Sequence, residues 1–428
     1  MQKSADSFLR ALFQAAVDRA DPRGVLTDAL PQQPVTGRVI VLGAGKAAAS
    51  MAAALEAAWT RPLEGLVVTR YGHGLPLKQI ELVEASHPVP DTAGAEASAR
   101  VLALAESAGA NDTVIFLASG GASALLSAPA AGISLDEKRA LTSALLKSGA
   151  TIHEMNAVRK HLSAVKGGRL AVAAAPARLL TLAISDVPGD DPDVIGSGPT
   201  VPDASTLAEA KTVLAHYGIE AAPSIQARLN APEAETPKLG DPAFERATFH
   251  MIATPQASLE AARDMAIEAE LAAPILSDRI EGEARDAAKV LGALALASSA
   301  TGDPFASPAV LLSGGETTVT VRGSGRGGRN VEFLLALAIT LEGAKGISAI
   351  ACDTDGIDGS EDNAGAVITP TTLARAQSLG IDVQARLADN DAYSVFAALG
   401  DLVMTGPTLT NVNDFRAILV DGEFGGQD

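Results

Sequence analysis

The sequence is poor in cysteine, in aromatic residues and in basic charge. Its single cysteine, Cys352, excludes an internal disulfide and a cysteine-rich metal site, and it indicates a reducing compartment. Only 3% of the 428 residues are aromatic, so aliphatic side chains and alanine must form the core. Basic side chains number 33 against 51 acidic ones, and the net charge of −18 disfavours general binding to nucleic acid or anionic membranes. A small anionic ligand therefore needs a local basic pocket.

Long apolar runs are also missing. No uncharged apolar stretch reaches the length of about 18 residues that a membrane-spanning helix requires. The first 22 residues place charges within an amphipathic pattern and lack the apolar block of a signal peptide. We expect a cytoplasmic protein, and at about 150 residues per domain the chain length predicts roughly two to three domains.

Short β-branched runs alternate with long helical patterns that are rich in alanine and leucine. This alternation is typical of βαβ units and of mostly parallel sheets flanked by helices. The predicted strands are 39–42, 66–69, 114–117, 179–184, 248–253, 309–313 and 347–352, with 317–321 as a hairpin partner of the strand before it. The predicted helices include 47–59, 92–107, 134–148 and one that starts at Asn330.

The periodic pattern breaks at residues 230–242, where proline, glycine and acidic residues cluster before a new strand. We therefore expect an α/β protein of two domains with mostly parallel sheets. A Rossmann-like domain is predicted over 1–235 and a second α/β domain over 236–428.

A glycine turn with an unusual lysine follows the first predicted strand. Gly43 and Gly45 precede Lys46 at the start of a helix, where backbone amides and the helix dipole attract anions. A cation at this place opposes the dipole unless an anion binds there, and the alternative is a solvated lysine. The turn also fits a dinucleotide fold, in which Arg70 would suit the 2′-phosphate of NADP. A P-loop is excluded because Ala47 stands where that motif needs serine or threonine.

A second glycine turn and a basic segment follow further along the chain. Residues 119–123 (SGGAS) flank paired glycines with hydroxyls, which predicts a cradle for an oxyanion or phosphate; the alternative is a tight strand-to-helix connection. Residues 156–169 concentrate four cations in a strongly acidic chain, which indicates anion binding. The alternative for the cations is that they complement the end of a helix.

An acidic loop, residues 185–193, follows a predicted buried strand. Its four carboxylates repel each other unless a cation or solvent separates them. Magnesium is the expected cation, and a solvated acidic turn is the alternative.

The second half repeats the pattern of a strand followed by glycines. Gly315 and Glu316 come directly after a strand, and a glycine-rich loop around Arg326 and Arg329 follows. Mobile backbone with forked cations suits phosphate, whereas the shortage of aromatic residues argues against RNA. A loop around Asp355 lacks the acidic residue at its twelfth position that an EF-hand needs, so Mg²⁺ or substrate is favoured there over Ca²⁺.

An ordered series of motifs runs from Gly43 to Phe415. It comprises GAGKAA, EASHPVPD, SGGASALL, HEMNAVRKHLSAVKGGRLA, SDVPGDDPDVIGSGPTVPD, SGGETTVTV, GRGGRNVEF, CDTDGIDGSEDNAGA and MTGPTLTNVNDF. The series resembles the class II glycerate kinases, whose C-terminal part is called the MOFRL domain. The resemblance implies an active site in an interdomain cleft, transfer of the ATP γ-phosphoryl group to D-glycerate with a divalent metal, 2-phosphoglycerate as the product, and a MOFRL region at about 305–420.

The predicted site residues fall into three groups. The catalytic set is Lys46 and Arg326, which match cations essential in the family, with Asp190. The set for Mg²⁺ is Asp186, Asp190 and Asp191. The set for substrate and nucleotide is Gly43, Gly45, Ser119, Gly120, Gly121, Ser123, Asn156, Arg159, Lys160, Gly315, Glu316, Arg329, Asn330 and Asp355.

Phosphoryl transfer needs a metal on carboxylates, cations on the moving group and amides around phosphates, and this sequence offers all three. Family members have often been labelled hydroxypyruvate reductases, so an NAD(P)H-dependent reductase is the alternative. A nucleotide-sensing regulator is a further alternative, although no DNA-binding or docking signature supports it. The expected partners are D-glycerate and ATP, without nucleic acid or membrane, and a homodimer is left open.

Overall fold

The computed structural model describes residues 4–31 and 35–421, and it confirms the predicted α/β fold. Contacts between residues divide the chain into two units. The parallel-sheet unit contains Pro22–Ile252, and the antiparallel-sheet unit contains the residues up to Asp21 together with those from Ala253 onward. Within the described residues, no helix is long and apolar enough to cross a membrane.

The parallel-sheet unit has one six-stranded sheet with the order β3-β2-β1-β4-β5-β6. Its strands are β1 (Val39–Ala44), β2 (Glu64–Arg70), β3 (Glu81–Ala85), β4 (Thr113–Ala118), β5 (Arg178–Ile184) and β6 (Ala247–Ala253). Its helices are α2 (Pro22–Val25), α3 (Ala48–Ala58), α4 (Thr92–Glu106), α5 (Ala122–Leu125), α6 (Leu135–Ser148), α7 (Ile152–His161), α8 (Arg169–Ala174), α9 (Leu207–His216) and α10 (Pro223–Asn230). Single 3₁₀ turns occupy Thr27–Ala29, Ile195–Ser197, Pro232–Ala234 and Pro242–Phe244.

The central strands of this sheet are almost entirely apolar because helices cover both of its faces. Every residue of β1 and β4 is buried. Alternate residues of β1, such as Ile40 and Leu42, pack with α4 and α8 in one core. The pairings among β3, β2, β1, β4 and β5 are all parallel, so the carboxyl ends of these strands lie along one edge of the sheet.

The antiparallel-sheet unit has a six-stranded sheet with the order β13-β12-β11-β14-β9-β7. Its strands are β7 (Ile275–Ser277), β8 (Gly282–Glu283), β9 (Ala309–Gly315), β10 (Thr317–Thr318), β11 (Ile347–Asp353), β12 (Gly365–Ile368), β13 (Leu402–Val403) and β14 (Asp414–Val420). Its helices are α1 (Ala5–Arg19), α11 (Pro255–Glu268), α12 (Ala284–Thr301), α13 (Arg329–Leu341), α14 (Thr372–Ser378), α15 (Val383–Ala388) and α16 (Ala392–Leu399). Helices α1 and α11 pack on one face of the sheet, and α12, α13 and α16 pack on the other.

Two expectations for this unit are wrong. The second sheet is mostly antiparallel, because β14 inserts between β11 and β9 and pairs antiparallel with both. Residues 317–321 do not form a hairpin with β9, since β14 and β7 occupy both edges of β9 and β10 pairs with β8 instead. Gly315, with φ of 112°, turns the chain away at the end of β9.

Two segments do not lie with the domain in which they were predicted: α1 groups with the antiparallel-sheet unit, and β6 belongs to the sheet of the parallel-sheet unit. Helix α1 buries Phe8, Leu9, Leu12 and Phe13 against α11 and the second sheet, because its apolar stripe finds its partner there. Strand β6 is the edge strand of the first sheet, next to β5. The boundary at residue 235 stays a prediction. Cys352 is a fully buried free thiol in β11, as expected for a small core residue.

Candidate functional site

The first sheet reverses its order between β1 and β4. Strands β2 and β3 lie on one side of β1, whereas β4, β5 and β6 lie on the other. In open α/β sheets, ligands bind outside the carboxyl ends of the strands at such a switch point. The turn that carries Lys46 follows β1 and the turn 119–123 follows β4, so the structure brings these two predicted segments together at this point.

Backbone hydrogen bonds join the two turns tightly. The Lys46 amide donates to the Gly120 carbonyl oxygen at 2.8 Å, and the Ala47 amide donates to Ser119 Oγ at 3.0 Å. Gly45 lies so close that a Cβ there would stand 2.1 Å from Ser119 Oγ. The glycine therefore permits close approach of the two turns, and the predicted cradle of amides after Gly43 is already occupied by protein acceptors.

Lys46 and His87 flank Gly121 at the same edge of the sheet. A Cβ at Gly121 would lie 3.6 Å from Lys46 Cγ and 3.0 Å from His87 Cδ2. The amides of Gly120 and Gly121 donate to no acceptor in residues 4–31 and 35–421, so they are available to an anion. His87 was not predicted as a site residue, although its position after β3 places it at this edge.

Ser123 is the centre of a polar cluster that includes part of the basic segment. Its Oγ accepts from Arg159 Nη2 at 2.5 Å and lies 2.8 Å from Ser197 Oγ. Lys166 Nζ donates to the Ser123 carbonyl oxygen at 2.8 Å. Asn156 Oδ1 accepts from Ser197 Oγ at 3.3 Å. Of these, the sequence predicted Asn156 and Arg159 beside Ser123, whereas Ser197 was not selected.

Lys160 is directed away from this cluster and into carboxylates. Its Nζ lies 2.5 Å from Asp193 Oδ1 and 3.1 Å from Asp203 Oδ1, and its side chain is almost fully buried. Burial opposes ionisation of Asp203, but Lys160 and hydrogen bonds from Ser205 and Thr236 lower the pKa of this carboxyl. The predicted ligand-binding lysine therefore anchors the acidic loop in this structure.

The acidic loop, residues 185–193, carries the carboxylates predicted to hold Mg²⁺. Asp191 Oδ1 accepts from the Asp193 amide at 2.9 Å, which ties this carboxylate to the turn. Asp186 and Asp190 are half-buried. Among the residues described, no group of three or more His, Cys, Asp or Glu side chains could hold a metal ion. These donors therefore do not form a metal centre by themselves, and a Mg²⁺ ion here would need phosphate or water oxygens to complete its ligands.

In the antiparallel-sheet unit, Arg329 joins the ends of three strands. Its guanidinium contacts Asp414 at 2.8 Å, Asp353 at 2.8 Å and Glu316 at 3.2 Å. Burial opposes the charge, but these three carboxylates raise the pKa of Arg329 well above its ordinary value. Asn330 donates from Nδ2 to Asp414 at 2.8 Å. The structure thus brings Glu316, Arg329 and Asn330 together in an internal network.

Asp358 lies in the loop after β11 and binds the first amides of α13, next to this network. Its oxygens accept from the Asn330 and Val331 amides at 3.0 and 2.9 Å. Burial raises the pKa of Asp358 to about 6, against those hydrogen bonds. Asp355 Oδ1 accepts from the Ile357 amide and shapes its own loop. Gly315 lies at the end of β9, where a Cβ would stand 2.3 Å from the Ile280 amide nitrogen.

The glycine-rich loop before α13 is anchored, contrary to the expected mobile backbone. Asn390 Oδ1 accepts from the amides at positions 322 and 323, and Asp389 and Asp391 accept from amides further along the loop. Arg326 itself is exposed: its guanidinium lies 4.3 Å from the centre of the Tyr393 ring and 2.5 Å from Glu361. The predicted catalytic arginine is therefore presented on a fixed loop.

Comparisons with known proteins cover nearly the whole chain. The family model described as a domain of unknown function, DUF4147, matches residues 8–230, and the MOFRL family model matches residues 309–414. A protein from Agrobacterium vitis, provisionally named a hydroxypyruvate reductase, is 54% identical over 97% of this chain and 95% of its own. The D-glycerate 2-kinase of Thermotoga maritima is 42% identical over 94% of this chain and 95% of its own.

A solved structure agrees with these matches. The crystal structure of glycerate kinase from Thermotoga maritima superposes with a TM-score of 0.89 at 40% identity, and it covers 97% of this chain and 99% of that one. These similarities confirm the resemblance that the motifs predict. The chain belongs to the DUF4147 and MOFRL family that includes the D-glycerate 2-kinases.

Proposed function

We propose that the protein is a glycerate 2-kinase, which transfers the γ-phosphoryl group of ATP to the 2-hydroxyl group of D-glycerate. The observation that carries the proposal is the meeting of the Lys46 turn and the turn 119–123 at the switch point of the parallel sheet. A relative that matches 94% of this chain bears the name D-glycerate 2-kinase.

Lys46 is proposed to neutralise negative charge on the reacting groups. The side chain is half-buried and lies beside Gly121. The Gly120 and Gly121 amides would bind phosphate or carboxylate oxygens, and the buried Ser119 hydroxyl holds the two turns in register. Such preorganised donors stabilise charge without rearrangement during the reaction.

The acidic loop is proposed to hold Mg²⁺ through Asp186 and Asp190. Bound there, the ion would neutralise charge on the nucleotide phosphates. Asp191 would keep the loop in shape, since its carboxylate already accepts the Asp193 amide. Lys160 would position the loop through Asp193.

The resemblance assigns Arg326 to the moving phosphoryl group. Its guanidinium is exposed, so a ligand can reach it. Arg329, Asn330 and Asp355 are proposed to shape the nucleotide-binding loops, because protein groups already occupy their side chains. Glu316 is proposed to hold Arg329 in place.

Hydroxypyruvate reduction is the second candidate, because the relative from Agrobacterium vitis carries that name. A dinucleotide fold binds pyrophosphate through the amides of its glycine turn. Here the amides of Gly45, Lys46 and Ala47 donate to protein acceptors, which argues against a pyrophosphate at that place.

The test is product identification with matched variants. Purified protein with D-glycerate, ATP and Mg²⁺ should yield 2-phosphoglycerate by phosphorus NMR, and NADPH with hydroxypyruvate should show no oxidation. Lys46→Met should abolish transfer, whereas Arg70→Ala should leave most of it, because only a reductase needs Arg70 for a 2′-phosphate. NADPH oxidation that survives Lys46→Met would refute the kinase assignment.

A further inference from the structure

A buried lysine that the sequence patterns do not single out lies beside the Ser123 cluster. Lys138 stands in the second turn of α6 and is only 7% exposed. Its Nζ is buried and donates to no acceptor within residues 4–31 and 35–421. An ammonium group removed from water without a partner is costly, so such a group calls for an explanation.

Lys138 lies close to two other cations, Arg159 and Lys166. Lys166 is fully buried, and Arg159 is half-buried, so the group opens to solvent at the arginine. Burial, followed by repulsion from Arg159, lowers the pKa of Lys138 to about 7. Burial and then repulsion from Arg159, Lys138 and Lys160 lower the pKa of Lys166 well below its ordinary value. The three cations thus share one low-dielectric region and repel each other.

The protein supplies only neutral acceptors to this group. Arg159 donates to Ser123 Oγ and, at 3.5 Å, to Asn156 Oδ1. Lys166 donates to Ser123 and to the Gly196 carbonyl oxygen. In the described part of the chain, no carboxylate pairs with Lys138, Arg159 or Lys166; the neighbouring Asp193 and Asp203 pair with Lys160 instead.

We propose that Lys138, Arg159 and Lys166 form an anion-binding site that takes the carboxylate of the hydroxy acid substrate, beside the hydroxyl groups of Ser123 and Ser197. Naming that substrate rests on the proposed function. An anion would supply the missing countercharge, and the guanidinium fork suits its two oxygens.

A phosphate shares this chemistry, but the arrangement favours the carboxylate. Nucleotide phosphates in a kinase bring Mg²⁺, which requires carboxylate or other oxygen ligands close by. Three cations without a carboxylate partner would repel that ion. A metal-free monoanion is therefore the better occupant, and the Ser123 and Ser197 hydroxyls can donate to it.

The test replaces one ammonium group and measures binding without turnover. Lys138→Met keeps the apolar stem, and Lys147→Met, exposed on the same helix, is the control. Calorimetric titration of each full-length protein with D-glycerate alone, with ATP alone and with inorganic phosphate separates the sources. We expect Lys138→Met to weaken D-glycerate binding at least tenfold and to leave ATP binding within about twofold, with Lys147→Met unchanged.

A second measurement uses the wild-type protein. Arg159 and Lys166 are the charged groups that act on Lys138, and Lys160, which pairs with Asp193 and Asp203, acts on Lys166. An anion that binds among partly deprotonated lysines raises their pKa values, so titration with D-glycerate near pH 7.5, in two buffers of different ionisation enthalpy, should show net proton uptake. Absence of uptake would overturn the proposal, whether or not Lys138→Met folds.

The remaining outcomes are each decisive. Loss of ATP or phosphate binding with unchanged D-glycerate binding would overturn the carboxylate assignment. Unchanged binding of all three probes would show that the cluster is structural. If the wild-type protein transfers no phosphoryl group, and anion binding by the wild type is lost in Lys138→Met, the proposed function fails while the anion site stands.

Discussion

Replacement of Lys138 by methionine should make the protein without ligand more stable, which is unusual for a buried residue. The methionine side chain preserves the apolar stem that packs in the second turn of α6, and the lost ammonium has no hydrogen-bond partner among the described residues. The change therefore removes an uncompensated buried charge and few favourable contacts.

The size of the gain follows from the pKa of Lys138. Burial lowers this pKa from 10.5 to about 7, and at about 1.4 kcal/mol for each pKa unit the charged form costs the folded state up to about 5 kcal/mol. The cost is complete below about pH 7, where both states bind the proton. It disappears as the pH rises towards 10.5, because the unfolded chain alone holds the proton in that range. The advantage of Lys138→Met should thus fall by about 2 kcal/mol between about pH 7 and about pH 9.

The single tryptophan, Trp59, provides the assay because it follows α3 in the same unit as Lys138. Urea unfolding followed by its fluorescence should give a higher midpoint for Lys138→Met at about pH 6, and a smaller difference at about pH 9. Lys147→Met, on the exposed face of α6, should match wild type at every pH. A variant that is less stable than wild type, or a difference independent of pH, would refute the reasoning.

Three further predictions concern the antiparallel-sheet unit and the acidic loop. Arg329→Gln should lower the free energy of unfolding by about 3–5 kcal/mol, because it removes the cation that the buried Asp353 and Asp414 share and leaves Asp414 with Arg416 alone; Arg326→Gln, whose side chain is 59% exposed, should change it by less than about 1 kcal/mol when both variants are unfolded under circular dichroism. Arg326→Lys should keep the fold and lower kcat about 100-fold, because it loses the planar fork; near-normal turnover would remove Arg326 from the reaction. Asp190→Asn should raise the Mg²⁺ concentration that gives half-maximal velocity at least about tenfold, whereas an unchanged Mg²⁺ titration would exclude Asp190 as a ligand.

The strands and helices of the first sheet were predictable because local and tertiary signals agree. β4 was predicted at 114–117 and spans Thr113–Ala118. The predicted helix 134–148 begins after Ser134, whose side chain accepts from the Glu137 amide in a capping box. Apolar runs of this length between capped helices leave few alternatives to a parallel sheet.

The second sheet was less predictable for a physical reason. A strand that is buried on both faces reads as a continuous apolar run, and such a run contains no information about the direction of its neighbours. β9 and β11 were located correctly, but β14, far along the chain, separates them and reverses the pairings.

In the candidate site too, residues marked by local sequence signals were predicted, and a residue whose role depends on tertiary contacts was not. The turns after β1 and β4 were found because glycines mark strand ends, and their meeting follows from the order of the strands. Lys138 was missed because its neighbours in DEKRALTSALL are typical of a solvated helix. Lys138 is buried because α6 packs on α7, and the sequence of α6 alone does not indicate that packing.

Helix α1 has a consequence for the order in which the chain can fold during synthesis. Its apolar residues pack with β14, which lies about 400 residues later in the sequence. At roughly 5–20 residues per second, α1 would leave the ribosome on the order of 20–80 s before its partner strand exists. The parallel-sheet unit can close meanwhile, but the apolar stripe of α1 stays uncovered until α11 emerges and is completely covered only once β14 has been made. The nascent chain therefore carries a binding motif for chaperones throughout most of its translation.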